Sequence, residues 1–170
     1  MITENLTVSH PGRNISATVY LPQADNIFLF GASMGGLVSA LAADERPGEI
    51  KGLILLYPAL CIADDWTRRF PDINNIPEIY KVWGVPLGRQ FFESLHGFDV
   101  FKYIGKYQKN ILIMHGEMDS IVPFEYSKKA DKAYYNSRLE LFMWEGHGFS
   151  DDADKHMLQM LIKFIKDIVF

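Results

Sequence analysis

Apolar residues along the chain change between strand-like and helix-like spacing. The runs "IFLF" (residues 27–30), "GLILLYPAL" and "NILIMHG" are continuously apolar, which is typical of strands covered on both faces. "RLELFMWEG" predicts a fourth strand that ends at Gly146. Helices are predicted over about residues 34–43 and in "PFEYSKKADKAYYN", with Pro123 near the first turn. Strands that alternate with helices predict an α/β domain with a mainly parallel sheet.

The two ends of the chain have patterns of their own. In "NLTVSHPGRNISATVYLP" apolar and polar residues alternate, which predicts a β-hairpin that turns at residues 10–13. Residues 151–170 predict an amphipathic helix, because apolar residues recur there at i, i+3 and i+4. Its apolar stripe consists of Met157, Met160, Leu161, Phe164, Ile165 and Ile168.

The segment of about residues 61–107 interrupts this alternation and is rich in glycine and aromatic residues. It is too long for a plain loop. We expect an insertion that packs over the carboxyl ends of the strands, where α/β proteins bind ligands. The full length of 170 residues suits a single domain.

Composition excludes several classes of function. The formal charge is -4 and Lys and Arg form no basic run, so neither nucleic acid nor an anionic membrane is an expected partner. The single cysteine, Cys61, cannot form an internal disulfide, which favours a reducing compartment such as the cytoplasm. We expect no signal peptide, no membrane span and, without metal-ligand spacing or a phosphate-binding loop, no metal and no cofactor.

The predicted strand at residues 27–30 runs directly into "GASMGG", which contains a candidate catalytic serine. Residues 31–35 match G-x-S-x-G, which places a nucleophilic serine, here Ser33, on a strained turn between a strand and a helix. Gly31 and Gly35 are expected to be glycine because a side chain would collide with neighbouring backbone. A helix that begins here would also point its free N–H groups at the reacting atoms. The alternative is a tight turn with an incidental serine.

A nucleophilic serine needs a base and a group that orients the base. Among the five histidines, His147 lies between Gly146 and Gly148 in a loop after the fourth predicted strand. This position is expected at the same sheet edge as Ser33, so His147 is the predicted base; the alternative is a solvated loop histidine. The other histidines lie in the hairpin turn, the insertion, the last helix and, for His115, the end of an apolar strand, which suggests a structural role.

The loop "MHGEMDSIVP" after the third strand supplies two acidic residues, Glu117 and Asp119. Asp119 is the predicted orienting acid, since it lies further into the loop, and Glu117 is the fallback. Asp119 has an alternative role as a cap of the helix after Pro123.

These segments resemble a known family. "FGASMGG", "ILIMHGEMDSIVP" and "WEGHGF" are similar to the nucleophile, acid and histidine segments of α/β-hydrolases. Within that family the chain resembles the small cinnamoyl and feruloyl esterases and the prolyl-oligopeptidase-like hydrolases over essentially its whole length. The resemblance implies an α/β-hydrolase fold with a small cap, with Ser33 as nucleophile, Asp119 as acid and His147 as base.

The family fold has two strands and two helices between its opening hairpin and its nucleophile strand, and this chain has only "PQADN" there. The missing segment normally supplies the second donor of the oxyanion hole, so only the backbone N–H of Met34 remains. Loss of one such donor typically costs about 10²–10³ in rate. An open sheet edge would also favour a homodimer.

The leading hypothesis is a serine carboxylesterase that acts through an acyl-enzyme on a small ester, aromatic and of the hydroxycinnamoyl type if the insertion lines the pocket. The insertion residues expected to do so are Trp66, Tyr80, Trp83, Phe91 and Phe92. Their alternative role is to form the small core of the insertion. The second hypothesis is a hydrolase-like protein with little or no catalysis that acts as a binding or assembly module.

Overall fold

The computed structural model describes residues 26–170 in full and residues 2–10 and 13–21 as backbone strands. Pro11 and Gly12, in the predicted hairpin turn, lie outside the described residues, as do residues 1 and 22–25. The described strands are β1 (Ile2–His10), β2 (Arg13–Leu21), β3 (Ile27–Ala32), β4 (Ile50–Leu56), β5 (Ile79–Val82), β6 (Val85–Gly88), β7 (Asn110–Gly116) and β8 (Ser137–Phe142). The described helices are α1 (Met34–Glu45), α2 (Ile62–Arg69), α3 (Arg89–Leu95), α4 (Phe124–Ala133) and α5 (Asp151–Val169).

The central sheet is parallel and has the strand order β3-β4-β7-β8 within the described residues. β1 and β2 pair antiparallel as the predicted hairpin, and β5 and β6 form a second hairpin. The prediction of an α/β fold with a mainly parallel sheet is confirmed.

Side chains of the two central strands alternate between two apolar cores. On one face, Leu53 of β4 and Ile113 of β7 pack in a core that α1 and α4 also line. On the other face, Ile54 and Leu112 pack against the apolar stripe of α5. β4 and β7 are therefore covered on both faces, as their continuous apolar runs predict. This three-layer arrangement fixes the carboxyl ends of all four strands at one edge of the sheet.

The same prediction is wrong for β3. Phe30 is about half exposed, with 48% of its surface accessible, and the other residues of β3 are only partly buried apart from Gly31. β3 is an edge strand, so the helices that pack on the central strands cover it only in part. Among the described strands, none pairs with its outer edge. Within the described residues, β1 and β2 form a separate two-stranded sheet and do not pair with β3.

β8 ends at Phe142, four residues before the predicted end at Gly146. Past that residue the chain bends, since Trp144 has a φ of 68°, in the left-handed region that strands do not use. The Phe142 carbonyl instead accepts a hydrogen bond of 2.9 Å from the N–H of Glu117. The strand therefore ends at Phe142, and the residues after it form the loop that carries His147.

Residues 61–107, called the insertion below, have secondary structure of their own. The insertion contains α2, the β5–β6 hairpin and α3. Near its end, Val100, Ile104 and Tyr107 are buried in the core that α1 and α4 line. No helix among the described residues is long and apolar enough to cross a bilayer.

Candidate active site

Ser33 lies on the turn between β3 and α1 with φ 51° and ψ −122°, a conformation that non-glycine residues rarely adopt. Hydrogen bonds from its surroundings hold it there. Its N–H donates to the Leu56 carbonyl at 3.0 Å, and its carbonyl accepts from Gly36 at 2.9 Å and Ala59 at 2.8 Å. The end of β4 and the residues after it therefore fix the strained turn that the motif predicts.

The glycines of this turn are not equivalent. A Cβ on Gly31 would lie 2.2 Å from the Gly35 carbonyl oxygen, and a Cβ on Gly36 would lie 2.7 Å from Cα of Pro58. Gly35 faces open space, since a Cβ there would meet no heavy atom within 4 Å. The steric prediction therefore holds for Gly31 and is wrong for Gly35, and Gly36 is the second glycine that close packing requires.

His147 joins Ser33 to Asp119 through both of its ring nitrogens. Nδ1 lies 2.8 Å from Asp119 Oδ2, and Nε2 lies 2.9 Å from Ser33 Oγ. A carboxylate can only accept, so Nδ1 carries the proton and Nε2 accepts the hydrogen bond of the Ser33 hydroxyl. The structure thus brings the three predicted residues together in one line of hydrogen bonds.

The Asp119 side chain is 0% exposed, whereas His147 keeps 16% of its side chain accessible. The second carboxylate oxygen, Oδ1, accepts from the N–H groups of Ile121 at 2.9 Å and Val122 at 2.8 Å. These bonds compensate for burial of the charge and fix the carboxylate plane. Glu117, the fallback acid, is exposed.

The loop that carries His147 is closed by a second carboxylate. Glu145 accepts from both the N–H and the hydroxyl of Ser150, each at 2.7 Å, so the two ends of the loop are joined. The Glu145 carbonyl accepts from the N–H of Met118 at 2.8 Å, which ties this loop to the one that holds Asp119. Glu145 therefore connects the two loops on which the His147–Asp119 bond depends.

Tyr57, directly after β4, is a neighbour of His147 that the sequence did not single out. Its ring centroid lies 4.7 Å from that of His147 and 5.5 Å from that of Phe149. Burial raises the pKa of Tyr57, and the charges of Asp154 and Asp119 raise it further, so the phenol stays neutral near pH 7. The available signal was its place at the carboxyl end of an apolar strand.

The five aromatic residues expected to line a pocket divide into two groups. Trp66, Tyr80, Phe91 and Phe92 contact one another through their rings, with Trp66 and Phe92 at 4.8 Å, and Phe92 is only 1% exposed. These contacts favour the alternative in which they form the core of the insertion. Trp83, at the tip of the β5–β6 hairpin, is 85% exposed.

Met34, whose backbone N–H is the predicted oxyanion donor, is the first residue of α1. The N–H groups of a first helical turn lack partners within the helix, so this group is suited to bind an oxyanion. Across the part of the chain that the structure describes, no group of three or more His, Cys, Asp or Glu residues is arranged to hold a metal ion.

A parallel sheet flanked by helices, with a serine on a strand-to-helix turn, defines the class of α/β hydrolases. A model of the prolyl oligopeptidase family matches residues 15–169, and the chain belongs to this family of hydrolases. The resemblance seen in the sequence is confirmed.

Relatives and solved structures agree with this assignment. The AB hydrolase superfamily protein YisY of Bacillus subtilis (strain 168) is 27% identical over 184 residues, which cover 84% of this chain and 68% of YisY. Prolyl endopeptidase FAP of Homo sapiens is 27% identical over 82% of this chain and 18% of its own length. Est1E from Butyrivibrio proteoclasticus, solved with ferulic acid bound, has a TM-score of 0.79 and 29% identity over 88% of this chain and 62% of the Est1E chain. The chain thus spans less than two thirds of Est1E and less than a fifth of FAP.

Proposed function

We propose that this chain is a serine-dependent carboxylesterase. The observation that carries the proposal is the unbroken line of hydrogen bonds from Ser33 Oγ through His147 to Asp119. The strained turn that presents Ser33 supports it as well, because strain of this kind is stored at functional sites.

In this proposal Ser33 Oγ bonds to the ester carbonyl carbon while its proton passes to His147 Nε2. Asp119 holds the imidazole in the required tautomer and stabilises the imidazolium. The tetrahedral intermediate collapses with cleavage of the bond to the alcohol oxygen, which takes the proton from His147. Water, deprotonated by His147, then attacks the acyl-enzyme; the acid leaves and the proton returns to Ser33.

The N–H of Met34 is the proposed donor to the oxyanion of the intermediate. A site with one donor in place of two is expected to turn over about 10²–10³ more slowly. We therefore expect slow hydrolysis, most easily detected with activated esters whose leaving groups need little protonation.

The proposed substrate is a small ester, with an aromatic acyl group of the hydroxycinnamoyl type as the first choice. The ring of Tyr57, which lies next to His147 and packs on Phe149, supports an aromatic partner, and so does the ferulic acid bound to Est1E. We further propose that the chain is one α/β-hydrolase domain whose insertion caps the site. Trp83 has the exposed surface to contact a substrate, whereas Phe92 has almost none.

The test is hydrolysis of p-nitrophenyl acetate by the wild type, Ser33→Ala and the control Ser120→Ala, an exposed serine next to Asp119. We expect Ser120→Ala to match the wild type and Ser33→Ala to fall to the background rate. Equal rates in all three proteins would rule out the proposal. A preference for methyl ferulate over methyl butyrate, measured as kcat/KM, would support the aromatic acyl group, and the reverse order would exclude it.

A second proposal, a binding or assembly role as a homodimer, is favoured by the open side of the sheet. Phe30, Met34 and Val38 are each about half exposed or more, and Gly35 beside them faces open space. Two copies of β3 could pair antiparallel about a two-fold axis and cover these side chains. Analytical ultracentrifugation is expected to show a dimer that Phe30→Lys dissociates, and a monomeric wild type would refute this proposal.

A further inference from the structure

His115, near the end of β7, is 0% exposed and is a second histidine beside Asp119. Its Nε2 lies 3.0 Å from the Val122 carbonyl and 3.3 Å from Asp119 Oδ2, the oxygen that also binds His147. Its Nδ1 lies 2.7 Å from the Ser127 hydroxyl on α4. Every polar atom of this buried ring therefore has a partner, and two of the three contacts lead to Asp119.

The partners of the ring define its protonation. A carbonyl and a carboxylate can only accept, so Nε2 carries the proton, and Nδ1 of the neutral ring accepts from the Ser127 hydroxyl. Burial lowers the pKa of His115 below its ordinary value, so the ring stays neutral at pH 7. The His115 ring thus turns an uncharged N–H toward the Asp119 carboxylate. Because it adds no positive charge there, protonated His147 remains the cation that this carboxylate stabilises.

The Val122 contact acts on the same carboxylate by a second route. The Val122 carbonyl binds His115 Nε2 while the Val122 N–H donates to Asp119 Oδ1 at 2.8 Å. His115 therefore fixes the short turn that wraps the carboxylate and also touches its other oxygen. A side chain that only filled space at this position would need neither contact.

We propose that His115 is a positioning residue, which holds Asp119 in the orientation that His147 requires. Ser127 in turn holds the His115 ring, so the hydrogen-bonded line extends from α4 through β7 to Ser33. This inference rests on the proposed esterase function for its kinetic consequences, but its geometric part is independent of turnover.

The other titratable groups around Asp119 and His147 include Tyr57, Cys61, Glu145 and Asp154, together with three that line the same cavity as Asp119, namely Glu117, Glu125 and Lys128. Burial raises the pKa of Tyr57, and it raises that of the Cys61 thiol to about 12, so both groups stay neutral through the range of the test. Asp154 is on the surface of α5, and the Glu145 carboxylate binds Ser150. None of these groups is altered in the variants below.

The test compares His115→Asn with His115→Gln. Gln places an N–H near the position of Nε2, whereas Asn reaches only as far as Nδ1, so Gln keeps the contacts with Val122 and Asp119 and Asn loses them. We expect Asn to lower kcat for p-nitrophenyl acetate roughly tenfold with KM little changed, because misplacement of a catalytic group mainly affects the chemical step. Gln is expected to restore most of the loss.

The decisive readout is the pH midpoint of the His147 ring, followed by NMR. In His115→Asn the Asp119 carboxylate is no longer held against His147 and stabilises the imidazolium less, so the midpoint is expected to fall by about 1 pH unit. His115→Gln should leave it unchanged. A purely structural role predicts lower thermal stability in both variants and the same midpoint as the wild type, which would overturn the proposal.

Ser127→Ala is the second variant, in case His115→Asn does not fold. It removes only the hydroxyl that holds Nδ1, and a smaller fall of the same midpoint is expected; an unchanged midpoint would overturn the proposal. The NMR titration needs no turnover. An inactive wild type whose midpoint responds to these variants would therefore contradict the esterase and retain the role of His115.

Discussion

Replacement of Gly31 by alanine tests how the turn at Ser33 is built. The added Cβ would lie 2.2 Å from the Gly35 carbonyl oxygen and 2.5 Å from Ser39 Oγ. The serine side chain can rotate away, but the carbonyl is backbone in the first turn of α1. Relief of the contact therefore requires a shift of α1 against β3 by most of an ångström. We expect a loss of about 3 kcal/mol in the free energy of unfolding, at the upper end for overpacking.

The same shift would move Ser33 and the N–H of Met34, which begin α1. A misplacement of this size is expected to lower kcat about 10²-fold. Gly35→Ala is the matched control, because the same methyl group there meets no atom within 4 Å and lies inside α1. Alanine in place of a helical glycine is expected to stabilise by up to about 1 kcal/mol.

Urea unfolding followed by tryptophan fluorescence gives both free energies, and p-nitrophenyl acetate hydrolysis gives the rates. The reasoning requires opposite signs of the stability change for the two glycines of one motif. It is refuted if Gly31→Ala is as stable as the wild type, or if the two variants lose stability equally.

Two further changes test contacts that support the site and the fold. Glu145→Ala removes both hydrogen bonds to Ser150 and is expected to lower kcat roughly tenfold. Urea unfolding is expected to show a loss of only about 1 kcal/mol in the free energy of unfolding. An unchanged kcat would contradict this role of Glu145. Asp44→Ala leaves the buried N–H of Tyr107 and the partly buried N–H of Lys106 without their acceptor, at a cost of about 2 kcal/mol. Wild-type stability in the same assay would contradict this role. Burial raises the pKa of Asp44 above its ordinary 3.8, so the folded state binds this proton more tightly. The wild type should therefore lose stability relative to Asp44→Asn as pH rises from below 3.8 through the raised pKa, and a difference that does not vary with pH would contradict this.

The sequence predicts the parts of the fold in which local pattern and burial agree. "NILIMHG" coincides with β7, and the apolar stripe of residues 151–170 becomes α5, because a strand covered on both faces and a helix on one face leave distinct periodicities. Ser33, Asp119 and His147 could be selected because each follows a strand of the same parallel sheet, whose carboxyl ends share one edge.

Other features depend on tertiary neighbours that a single sequence does not reveal. The run "IFLF" resembles a central strand, yet β3 lies at an edge and Phe30 is half exposed. The motif gives Gly31 and Gly35 equal weight, and only the position of the Gly35 carbonyl shows that Gly31 is the one of the two that must be glycine. The requirement for glycine at residue 36 depends on Pro58. His115 resembles a core histidine from its apolar strand, and its contact with Asp119 depends on the turn at Val122.

The central claim is that Ser33 is a nucleophile activated by His147, and covalent labelling tests it most directly. A fluorophosphonate loses fluoride as a bond forms between its phosphorus and an activated serine oxygen, and this step does not depend on later turnover. Peptide mass spectrometry is expected to find the label on Ser33 in the folded wild type. The label should be lost in urea-unfolded protein and strongly slowed in His147→Ala, but not in the control His156→Ala, which changes an exposed histidine of α5. An unlabelled Ser33, or labelling that is equal in folded and unfolded protein, would contradict the claim.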